Sequence, residues 1–118
     1  MRITRRSILK NAALAPITAA LTRFASAATS ATTHIVTIKD FTFDPPMLDA
    51  KIGDTVEWKN LDGFIHTATS DEEGRFDTKI IRTGRSKSHT FTGDNGSGEF
   101  SYHCQIYPMM KGKITVRR

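Results

Sequence analysis

The residues of this 118-residue chain best equipped for chemistry stand near its end: Cys104-Gln105-Ile106-Tyr107-Pro108-Met109-Met110, running directly into Lys111-Gly112-Lys113-Ile114-Thr115-Val116. Cys104 is the only cysteine. It has no partner for an intramolecular disulfide, so in an oxidising compartment its thiol needs another occupation, and metal ligation is the obvious one. The thioether of Met110, on a loop short enough to fold back, supplies a second soft donor, and a thiolate with a thioether suits copper.

Donors of this kind must be held by something rigid, and the rest of the chain reads as short strands. Apolar residues alternate at period two in Thr33–Ile38, Asp54–Lys59, Ser88–Thr92, Glu99–Cys104 and Lys113–Arg117, the pattern of half-buried strands. Pro45-Pro46, Gly53-Asp54, Asp62-Gly63, Gly84 and the glycine-rich stretch 93–98 mark turns, the last read as a hairpin loop. Nothing after Ala28 reads as a long amphipathic helix. Short strands at this spacing predict an all-β antiparallel sandwich. The expected core is Phe41, Phe43, Val56, Trp58, Phe91, Phe100, Tyr102 and Ile114, with Trp58 at its centre.

The N-terminal stretch predicts a compartment. Thr4-Arg5-Arg6-Ser7-Ile8-Leu9-Lys10 puts paired arginines ahead of a short apolar run, Ala12 to Leu21, and Ala25-Ser26-Ala27 offers small residues to a signal peptidase. This reads as a twin-arginine export signal over residues 1–27, cleaved after Ala27 or Ala28, with one domain over 28–118. The run is about half the roughly 20 residues a membrane-spanning helix needs, and Pro16 interrupts it. The expected location is therefore the periplasm or an equivalent exported space, with no stable membrane span. The leader holds Arg2, Arg5, Arg6, Lys10 and Arg23 and no acidic residue; without it, twelve of the 17 basic side chains remain against 12 acidic ones. The formal charge of +5 thus belongs to the leader, and a nucleic-acid partner is not expected.

Taken together, Val56-Glu57-Trp58-Lys59-Asn60-Leu61-Asp62, His66-Thr67, Phe100-Ser101-Tyr102-His103-Cys104 and Pro108 through Val116 resemble the small cupredoxins, particularly the amicyanin, pseudoazurin and plastocyanin-like group. The resemblance implies a Greek-key β-sandwich of about seven or eight strands. It also implies one copper ion, in a type 1-like or altered site, and single-electron shuttling in the periplasm or its equivalents. His66 matches the first histidine ligand, Cys104 the thiolate and Met110 the axial thioether. By the same analogy the Thr67 amide bonds the Cys104 sulfur, and Asn60 fixes the loop before His66.

The resemblance places a second histidine ligand at 107, where this chain has Tyr107. Three arrangements are open. Tyr107 ligates as phenolate, a hard donor that favours Cu(II); it points away and leaves His66, Cys104 and Met110 as a soft set favouring Cu(I); or water or a partner's group fills the place. The second is the favoured expectation. The other histidines do not fit as replacements. His103 adjoins Cys104 on a strand and leaves by the opposite face, His89 reads as half-buried beside Phe91, and His34 as solvated. Met47 reads as core filler, Asp71-Glu72-Glu73 as a solvated loop.

Three function classes follow. The first is an electron carrier with a modified copper site. The second is a Cu(I)-binding, delivery or copper-tolerance protein, favoured by Tyr107 and the Met109-Met110 pair. The third is a metal-free structural sandwich. A monomer is expected, meeting a redox or copper-accepting partner through an apolar surface near Ile106, Pro108 and Met109. No nucleophile-and-base pair, paired-carboxylate signature or phosphate-cradling loop is present, so catalysis is not expected, and one histidine with one cysteine falls short of a zinc site.

Overall fold

The computed structural model describes residues 30–93 and 96–118. The leader expected over 1–27 lies outside the described residues, as does part of the glycine-rich loop. The described residues hold eight strands: β1 Thr33–Lys39, β2 Thr42–Asp44, β3 Met47–Lys51, β4 Thr55–Asn60, β5 Thr69–Ser70, β6 Ser86–Thr90, β7 Gly98–His103 and β8 Lys111–Arg117. They form two four-stranded sheets, ordered β2-β1-β4-β6 and β3-β8-β7-β5, the all-β sandwich expected from the alternation. Four of the neighbouring pairs run antiparallel; β1 with β4 and β3 with β8 run parallel. The parallel pairs arise because β1 and β4, and β3 and β8, are not consecutive, and a crossover can return a strand in the same direction.

Alternation sets the inward face. Val36 and Ile38 of β1, Val56 and Trp58 of β4, Phe100 and Tyr102 of β7, and Ile114 and Val116 of β8 are all buried. Trp58 lies in the middle of this core, stacked on Phe76 with ring centroids 5.6 Å apart and edge-on to Tyr102 at 5.6 Å. Burial pushes the Tyr102 phenol up to about 12. Among the described residues the Trp58 Nε1 has no partner within hydrogen-bonding geometry, and its proximity to the Tyr102 oxygen works against the effect of burial without cancelling it. Phe76, absent from the expected core, fills the gap between Trp58, Phe91, Phe100 and Tyr102. Its flanks, Arg75 and Asp77, are polar and give no periodic signal.

Several sequence expectations need correction. Phe41 is not in the core but 42% exposed, because it sits in the tight β1–β2 turn, where Asp40 and Phe41 both take positive φ (52° and 57°). Met47 begins an outer strand and is exposed. His34 is not solvated; its Nε2 lies 2.9 Å from the buried Asp54 carboxylate. The stretch 93–98 is not a hairpin loop: it joins β6 in one sheet to β7 in the other.

Candidate metal centre

The site begins with the end of β4. There the side chain of Asn60, fully buried, donates through Nδ2 to the carbonyls of Phe64 and Ile81, each at 2.8 Å, and accepts the Asp62 amide at 2.9 Å. These three bonds fold residues 61–65 into a fixed loop and present His66 at its far side. His66 belongs to no strand; it is tied by a reciprocal backbone pair to Ile81, His66 N–H to Ile81 O at 3.3 Å and Ile81 N–H to His66 O at 2.7 Å. Its ring is completely buried.

Asp62 decides how that ring is used. Its Oδ2 lies 2.8 Å from His66 Nε2, and the carboxylate also accepts the amides of Phe41 at 3.1 Å and Asp40 at 3.3 Å. Burial works to raise the Asp62 carboxyl, but the hydrogen bonds from His66, Phe41 and Asp40 outweigh it and hold the group below the usual carboxylate range. An ionised carboxylate only accepts, so in the neutral ring the proton sits on Nε2 and Nδ1 is left with a free lone pair. That lone pair faces Cys104 Sγ at 3.6 Å.

Cys104 follows directly on β7 and is completely buried. Its sulfur accepts the Thr67 amide at 3.4 Å, as the family resemblance implied. The loop after it closes on itself: Cys104 N–H donates to Met110 O at 3.1 Å and Met110 N–H to Tyr107 O at 2.9 Å. This brings the buried Met110 back beside Cys104 at the start of β8. Two donors bound to one first-row ion at near-tetrahedral angles stand about 3.5 Å apart; the spacing of His66 Nδ1 and Cys104 Sγ fits that, and an imidazole, a thiolate and a thioether suit copper.

Tyr107 is half-buried with its ring against other rings, 4.9 Å from Phe41 and 5.3 Å from His66 between centroids. Phe41 in turn meets Phe64 at 5.1 Å and the edge of His66 at 5.5 Å, so an aromatic cluster covers this end of the sandwich. Ile106, Tyr107, Pro108, Met109, Met110 and Phe41 line a hollow of about 350 Å³ there, and Met109 projects from it 93% exposed. The remaining histidines are occupied elsewhere. His103 Nδ1 pairs with Asp71 at 2.5 Å on the outer face, and His89 packs on Phe76 and Phe91.

Sequence reasoning did not single out Asp62 or Phe41 for the site. An acid four residues before a candidate ligand was the available signal for Asp62. Phe41 had none, since a left-handed turn without glycine is invisible in composition.

A family model described as "Cupredoxin-like domain" matches residues 12–116. Amicyanin of Paracoccus denitrificans is 31% identical over 97 residues, which covers 79% of this chain and 72% of that protein. Among solved structures, an amicyanin variant in its reduced Cu(I) form superposes with a TM-score of 0.64 at 29% identity, covering 78% of this chain and 87% of its own. A purple cupredoxin from Nitrosopumilus maritimus shares the fold, with a TM-score of 0.64 at 24% identity over 70% of this chain and 98% of its own. With its two-sheet architecture and its buried His66–Cys104 pair, this chain belongs to the cupredoxin-like family.

Proposed function

We propose that this protein is an exported copper protein that carries single electrons, with His66, Cys104 and Met110 as the copper ligands and Tyr107 outside the ligand set. The observation that carries the reading is the placement of His66 Nδ1 3.6 Å from Cys104 Sγ in a fully buried setting. Copper held there supplies a one-electron couple. The chain's own part is to keep the donors still. Asp62 locks the imidazole, the Thr67 amide holds the sulfur, and the backbone bonds within 104–110 hold Met110; a site that moves little between oxidation states exchanges electrons readily. The packing of the Tyr107 ring against Phe41 and His66 supports a phenol engaged as an aromatic cover, which leaves a soft donor set favouring Cu(I). The same apolar end, with Phe41, Ile106, Pro108 and Met109 at its surface, suits a transient redox partner. Residues 1–27 serve as the twin-arginine leader and the exported domain acts as a monomer.

The test is a titration of protein purified from cells expressing the full chain with Cu(I) and Cu(II), followed by absorption and EPR, alongside Tyr107→His. Tight Cu(I) binding, a weak or absent visible band with Cu(II), an intensely coloured variant and reversible cycling at an electrode are the expected results. Strong blue absorption with narrow EPR splitting in the native protein refutes the altered site. A native protein that takes neither ion while Tyr107→His turns blue removes the copper role.

One observation favours a second reading, a Cu(I)-holding or delivery protein: Met109 stands exposed next to the buried Met110, a thioether at the mouth of the site. Rapid surrender of Cu(I) to a competing chelator without reversible electrode cycling would select it.

A further inference from the structure

We infer that the protein has a basic docking groove for an acidic redox partner, running from beside Cys104 along residues 79–87; this rests on the electron-carrier reading and names the partner's chemistry. Two adjoining hollows form it. Thr67, Lys79, Ile80, Arg82 and Gln105 line the first, of about 360 Å³, and Ile80, Arg82, Arg85, Ser86 and Lys87 the second, of about 370 Å³. They meet at Ile80 and Arg82, which line both, and every charged side chain lining them is a cation.

Local structure explains why these cations point outward together. Ile81 is fully buried and bonded through its backbone to His66, so its neighbours Ile80 and Arg82 face solvent by simple alternation. The turn through Gly84, with φ of 79°, is closed by Arg85 N–H to Arg82 O at 2.9 Å and Gly84 N–H to Asn60 O at 2.7 Å. It sets Arg82 and Arg85 on one rim, ahead of β6, which is the edge strand of its sheet. Lys87 Nζ donates to the Thr78 carbonyl at 3.4 Å and stays over the groove. The Lys79 ammonium makes an exposed contact with Asp77 at 3.6 Å, of little energetic weight.

The charge is segregated, not merely present. No acidic residue occurs from Thr78 to Gly93, whereas Asp71, Glu72, Glu73 and Asp77 stand just before. Lys79 has Asp77 at 3.6 Å, a pair as loose as Lys113 with Glu99 and Arg117 with Asp49 on other faces, and Arg82, Arg85 and Lys87 line the track with no carboxylate beside them in its lining. A cationic track on a domain with balanced charge selects an acidic face and speeds its approach. A membrane is a poorer fit, because Ile80 is the sole apolar side chain lining the track and no amphipathic helix accompanies it among the described residues. Nucleic acid is poorer too, since no aromatic ring lines the track to stack on bases.

The track also starts where it is useful. Thr67 donates its amide to Cys104 Sγ at 3.4 Å, and its hydroxyl accepts the Gln105 amide at 2.9 Å. Both residues line the groove, so a partner seated there is separated from the sulfur by one hydrogen bond and one residue. The next residue in the chain, Ile106, lines the hollow at the apolar end.

The experiment uses protein purified from cells expressing the full chain and an oligoglutamate peptide as the probe. Backbone amide shifts are mapped by NMR, and affinity is followed against salt. Expected are shifts confined to Thr67, Lys79–Lys87 and Gln105, binding that weakens with salt, and a loss of about tenfold in Arg82→Glu/Arg85→Glu. That variant should keep its melting temperature, and Lys113→Glu should bind within about twofold of the native protein. Shifts centred elsewhere, an unaffected double variant, or tighter binding to phosphatidylglycerol vesicles or polyuridine than to the peptide would overturn the inference. Electrode cycling of the same samples separates the two readings. Cycling without peptide binding at the groove sinks the docking groove, whereas groove binding without cycling sinks the carrier reading and leaves the basic docking groove in place.

Discussion

At the scale of single residues, Asp62 does more than its position in the sequence advertises. One carboxylate accepts from His66 Nε2 and from the two amides of the left-handed Asp40-Phe41 turn, so it orients the candidate ligand and seats the aromatic cover above it. Asp62→Asn replaces one accepting oxygen with an NH2 group that faces donors. It should cost about 1–3 kcal/mol in thermal or denaturant unfolding and lower copper affinity by about 10–100-fold in a chelator competition. Unchanged affinity would mean that the imidazole is oriented without it. Among the ligand candidates, Cys104 and Met110 could be named from residue type and spacing, and His66 through the family resemblance. Asp62 could not be assigned its role that way, because its effect depends on a turn 21 residues earlier in the chain folding onto the same carboxylate.

At the scale of elements, two positions show how strands are fastened around the site. Gly112 on β8 sits opposite Tyr102 on β7, and a methyl group there would lie 2.5 Å from the Tyr102 oxygen. Gly112→Ala must therefore push the Tyr102 ring out of the core, at about 1–3 kcal/mol in denaturant unfolding, and it should also disturb the adjoining Met110. Asp54, at the start of β4, accepts from the Thr32 and Lys51 amides at 2.9 and 3.0 Å and meets His34 at 2.9 Å. The His34 hydrogen bond first, then the Thr32 amide, holds its carboxyl down at about 2 against an ordinary 3.8. A carboxylate whose folded value is depressed adds stability that is fully present above its unfolded value and is lost as pH falls through the folded one. The protein should thus lose stability between about pH 4 and pH 2 on this account. Asp54→Asn should flatten that part of a melting-temperature profile, and an unchanged slope would assign the acid sensitivity to other carboxylates. The main strands were legible from their alternation. The three-residue β2, the two-residue β5 and the outer β3 were not, because such short or edge segments have no buried face long enough to impose a period.

At the scale of the whole molecule, the proposed carrier would divide recognition between the apolar end and the basic track. Met109→Lys on the apolar end should leave unfolding within about 0.5 kcal/mol of native while weakening redox-partner docking, read as a slower bimolecular electron-transfer rate. A native rate would place docking away from that end. By itself the sequence determined the all-β class, Trp58 at the centre of the core and the family resemblance, and it put forward Cys104 and Met110 by residue type and spacing and His66 through the resemblance, because period-two alternation and soft donors on one loop are local signals. The tertiary structure alone decided that Phe41 leaves the core to cover the site, that Asp62 locks His66, and that Arg82 and Arg85 join Lys79 and Lys87 beside Thr67 and Gln105 in one groove. Each of those depends on residues distant in the chain being brought together by the closure of two sheets, and no local pattern encodes which distant partner a turn will meet.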